Sequence, residues 1–65
     1  MTIFDLEKNL LDINNDSIPE EIMSEFWKLK NNIGSAPMGI SKIEDTFFII
    51  SPAFENFILF SKKLN

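Results

Sequence analysis

Apolar positions recur at a helical period in the first half of the chain and at alternating positions in part of the second. In residues 3 to 13, IFDLEKNLLDI, the residues Ile3, Phe4, Leu6, Leu10, Leu11 and Ile13 fall on one arc, with Asp5, Lys8, Asn9 and Asp12 opposite. This spacing predicts a short amphipathic helix. Thr2 is placed to cap it, Asp5 three residues on can reach back to the cap's backbone N–H, and the polar run Asn14, Asn15, Asp16 ends it.

The segment SIPEEIMSEFWKLKNNIG predicts a second helix. Ser17 and Glu20 have the spacing of a capping box, and Pro19 suits a first turn. Ile22, Met23, Phe26, Trp27, Leu29 and Ile33 share one face, and Gly34 is placed to be a left-handed terminator. Trp27 is read as core because Phe26 and Leu29 accompany it, so its truncation to Ala is expected to cost about 3 to 5 kcal/mol.

After GSAPMG, residues 40–43 and 46–50 read as two strands of a β-hairpin turning at Glu44 and Asp45. The last stretch, SPAFENFILFSKKLN, is read as a helix opened by Ser51 and Pro52. Ala53, Phe54, Phe57, Ile58, Phe60 and Leu64 share one arc of it, whereas FILF alone resembles a strand. The expected fold is therefore α+β in a single small domain over residues 1–65. Two N-terminal amphipathic helices pack on a hairpin followed by a C-terminal helix, with the third strand of a β-meander as the alternative.

Length and composition narrow the rest. A chain of 65 residues buries only about 60% of its unfolded surface, and without Cys or His it has neither disulfides nor the usual zinc ligands, which leaves oligomerisation as a means of support. Seven Phe and one Trp are many for this length. Ten Ile with no Val and six Lys with no Arg suggest a low-GC genome such as those of many bacteria and phages. The acidic N-terminus is unlike a secretory signal and no apolar run reaches the ~18 residues of a membrane span, so a cytoplasmic protein without membrane contact is expected.

The net charge of −4 is uneven: residues 1–25 carry seven acids and one Lys, whereas residues 26–65 carry three acids and five Lys. An acidic chain without Arg is a poor nucleic-acid binder, and a protein partner with a basic surface is expected, facing the patch of Glu20, Glu21 and Glu25. The plainer account of that patch is a solvated helix face whose acids oppose the helix dipole. Asp12, Asn14 and Asp16 imitate the opening of a calcium loop, but Ser17 stands where its turn Gly belongs and Met23 where its bidentate Glu belongs.

Without His, Cys or Tyr the chain has few candidates for a general base or nucleophile, and neither an enzyme nor a cofactor is expected. Strand alternation puts Phe47 and Ile49 on one side of the hairpin and Phe48 and Ile50 on the other. The face of Phe48 and Ile50, with Phe57 and Phe60, lacks an obvious cover and is expected to form an oligomer or partner interface, most simply in a homodimer. These features predict a small binding module that occludes a partner, of the kind a phage or mobile element uses to inhibit a host defence or toxin protein. The alternatives are a subunit of a larger bacterial or phage assembly, or a sponge for a signalling nucleotide, the latter disfavoured by the lack of Arg.

Overall fold

A computed structural model describes residues 2–14, 16–32, 37–51 and 57–64. Its elements are α1 (Ile3–Lys8), β1 (Leu10–Leu11), α2 (Glu20–Lys30), β2 (Gly39–Ile43), β3 (Thr46–Ile50) and β4 (Ile58–Lys63). The four strands form one antiparallel sheet in the order β1-β2-β3-β4. None of the helices among the described residues is long and apolar enough to cross a membrane.

The first helix begins where the sequence places it. Asp5 N–H donates to Thr2 Oγ1 at 3.3 Å and Thr2 N–H donates to Asp5 Oδ2 at 2.9 Å, a reciprocal capping box. The bonds from the Thr2 backbone N–H and then its hydroxyl hold the Asp5 carboxyl below the ordinary carboxylate range. The cap's contribution is therefore fully present above the unfolded carboxylate pKa and is lost as pH falls through Asp5's lowered value.

This helix does not run to Ile13. Asn9 closes it with its side-chain amide donating to Asp5 O at 2.7 Å, while Asn9 O accepts from Lys42 N–H at 3.2 Å. The chain is thereby handed to the sheet, where Leu10 pairs with Ser41 and Leu11 with Ile40. The second helix also starts later than its Ser17–Glu20 spacing suggests, with Pro19 at the N-cap and no side-chain cap there. Pro19 O accepts from the N–H groups of Ile22 and Met23, both at 3.1 Å. Ile18 and Met23, on either side of that cap, pack in the same core cluster, the arrangement of a hydrophobic staple. Ile33 and Gly34, expected at the end of this helix, lie outside the described residues.

The expected C-terminal helix is overturned. Residues 58–63 form a strand paired with β3, from Ile50↔Ile58 to Thr46↔Lys63 with a bulge beside Ile49 and Ile50. Ser51 N–H donates to Phe57 O at 2.8 Å as the chain returns, and Leu64 N–H donates to Asp45 O at 2.8 Å beyond the strand's end. Alone, the hairpin of β2 and β3 would be marginal, and the β-rich FILF segment completes ladder bonds that a helix there would leave open. Residues 52–56, which the helix reading included, lie outside the described residues.

Each sheet face has its own cover. On one, Ile22 and Phe26 of α2, with Ile18, pack against Ile40, Phe47 and Ile49. On the other, Leu6 of α1 packs with Phe48 and Ile50, and Ile43 and Phe57 border this cluster. The fully buried Ser41 hydroxyl donates to Leu6 O, tying the helix backbone to β2. The expectation that no element covers Phe48 and Ile50 is therefore corrected: both are buried, and Leu6 of α1, wholly buried and held to β2 through Ser41, packs on them.

The hairpin turns through Glu44 and Asp45, with Glu44 at φ 57°. A side chain in that left-handed region is strained, and two-residue hairpin turns favour Gly where φ is positive. Glu44→Gly is expected to stabilise the fold by about 1 kcal/mol. A denaturant midpoint equal to or below that of the parent would contradict this.

Candidate interaction groove

Trp27 lies outside both cores. The reading of it as a buried residue is corrected by its 47% exposure, while its neighbour Phe26 is 3% exposed. The cause is angular: α-helical residues advance about 100° each, which turns Trp27 well away from the direction that its neighbour Phe26 takes into the core. Ile22, Phe26 and Leu29 cluster about one direction, and Trp27 is rotated to its margin. Phe26 nevertheless supports it, the two rings meeting edge to face with centroids 5.5 Å apart.

From that position Trp27 forms one wall of a groove of about 320 Å³ along the β1 edge of the sheet. Leu10, Leu11, Ile13 and Phe26 line it further, with Lys30, Met38 and Gly39 completing the mouth. Leu10 is 40% and Met38 41% exposed, so three large apolar side chains border one concavity while remaining open to solvent. Gly39 helps to keep it open, since a Cβ there would stand 3.1 Å from Leu10 Cδ2. A shallower depression on the other side of Trp27 is lined by Glu20, Met23, Ser24, Lys28 and Asn31.

Comparison of the chain with protein-family models, curated proteins and solved structures finds no match.

Lys30 is the charged residue among those lining the groove. Its ammonium lies over both aromatic rings, 5.6 Å from the Phe26 centroid and 5.9 Å from that of Trp27. Its methylenes can cover ring surface while the charge stays in water. The acids expected to meet a basic partner are arranged differently: Glu21 pairs with Lys62 of β4 at 2.6 Å and Glu25 with Lys28 at 3.4 Å. Glu20 is exposed at the first position of α2. Two of the three acids thus already have cations beside them, which weakens the field a basic partner would feel.

The expected aromatic interface is also divided. Phe48 is 7% and Ile50 0% exposed, Phe57 is half-buried beside them, and half-buried Phe60 packs on the opposite face. Asp12 Oδ1 accepts from Asn14 N–H at 3.0 Å, a local turn bond in the DINND segment. Among the described residues no group of three or more His, Cys, Asp or Glu side chains is disposed to hold a metal ion.

Proposed function

We propose that this chain is a protein-binding module that takes apolar side chains of a protein partner into the groove beside Trp27 and acts by covering that part of the partner's surface. The observation that carries this reading is the convergence of Leu10, Trp27 and Met38, each about two-fifths exposed or more, on one groove. Scattered apolar residues on a surface are ordinary, as Phe4 is here at 67% exposure, but several around one concavity mark association sites. Trp and Met are the side chains that protein interfaces favour, and a half-exposed Trp resting on a buried Phe is a pre-organised anchor. The volume is at the lower end of the roughly 300–1,000 Å³ of ligand sites, suited to a few side chains of a partner.

Selection from a displayed library of random peptides tests the proposal. Trp27→Ser is expected to lower stability by about 1 to 2 kcal/mol, less than truncation of a fully buried aromatic, and circular dichroism checks that the variant remains folded. Peptides enriched on the parent protein are expected to lose binding to Trp27→Ser. Failure to enrich any peptide, or equal binding to the variant, would overturn the reading.

A further inference from the structure

We infer that the segment the groove accepts is acidic: a large apolar side chain enters beside Trp27 while a neighbouring carboxylate meets the ammonium of Lys30. This rests on the groove being the docking surface and adds the charge of its occupant. Lys28, Lys62 and Lys63 each have a carboxylate within ion-pair distance, namely Glu25 at 3.4 Å, Glu21 at 2.6 Å and Asp45 at 3.6 Å. Lys30, like Lys8 and Lys42, has none among the described residues, and of these three it is the one at the groove, none of whose described lining residues is an acid.

The cation–π contacts and the C-terminal end of α2 account for where Lys30 rests. Among the described residues no hydrogen-bond acceptor meets the ammonium, so an N–H turned away from the rings can meet a carboxylate. An incoming apolar side chain would expel water from the mouth of the groove, and a pair formed there is stronger than one in bulk solvent. A basic segment would instead bring a like charge against Lys30 as the groove closed over it, which gives discrimination as well as attraction. The protein's net charge of −4 does not reverse this preference at physiological salt, where charges more than about 8 Å away are largely screened.

The test uses peptides recovered from the library on the full chain, measured by fluorescence polarisation of the labelled peptide. Recovered sequences are expected to carry Asp or Glu close to a large apolar residue. Replacing that acid by its amide should weaken binding about tenfold, and Lys30→Glu should weaken it at least as much while drawing Lys- or Arg-bearing peptides from the same library. Circular dichroism checks that Lys30→Glu remains folded, and Lys30→Gln, expected to lose about tenfold, replaces it if it does not. Peptides that depend on Trp27 but are neutral or basic around the anchor, with affinity within about twofold for the Lys30 variant, would overturn the inference and leave the groove standing. Binding that ignores Trp27 would overturn both.

Discussion

Phe48→Glu is expected to abolish folding at every protein concentration. Phe48 is 7% exposed and packs with Leu6 and Ile50, so the new carboxylate would enter an apolar cluster. An unpaired buried charge costs several kcal/mol, a large part of the roughly 5 to 15 kcal/mol that holds a domain together and more serious still in a small one. Far-ultraviolet circular dichroism and sedimentation, measured across a concentration series, read the result. A folded monomer derived from a dimeric parent would mean that the Phe48 face is an interface between copies, and a folded variant of unchanged mass would mean that it is open to solvent. Either would contradict the covered face described above.

Leu6→Ala follows as the second large effect. Leu6 is the buried residue of α1, 0% exposed, and through Ser41 its carbonyl is the point at which that helix is bound to β2. Truncating a fully buried Leu costs about 2 to 5 kcal/mol, and here the cavity would open against Phe48 and Ile50. Phe4→Ala on the same helix is the control: at 67% exposure it should change stability by less than about 0.5 kcal/mol. Chemical denaturation of both variants decides the matter, since equal midpoints would show that α1 contributes nothing to that face.

The contrast between Leu6 and Phe4 shows how far the pattern of apolar residues can be taken. The spacing in residues 3–13 is helical, yet its members serve three environments: Leu6 enters one core, Leu11 and Ile13 border the other, and Phe4 faces water. A period records that residues are apolar without recording that a sheet has two sides to fill. The same ambiguity governs the C-terminal segment, where Phe57 joins the Leu6 cluster while Leu59 and Phe60 join the α2 cluster. Such two-sided burial imitates one broad helical arc, and only the long-range pairing with β3 resolves it. The second helix and the hairpin were legible because the helical period of the one and the β-branched and aromatic content of the other hold within each short segment, although the Ser17–Glu20 spacing misplaced the helix start. The groove was not legible: the helical period put Trp27 in the core beside Phe26, and Leu10 and Met38 are brought to it by long-range pairing along the sheet.

The most direct test of the account is acrylamide quenching of Trp27, the chain's only tryptophan. A half-exposed indole at the wall of an open groove should be quenched readily, to the same extent across protein concentrations, and should become protected when a selected peptide is added. A tryptophan shielded from quencher in the free protein at every concentration would place it in the core and contradict the account.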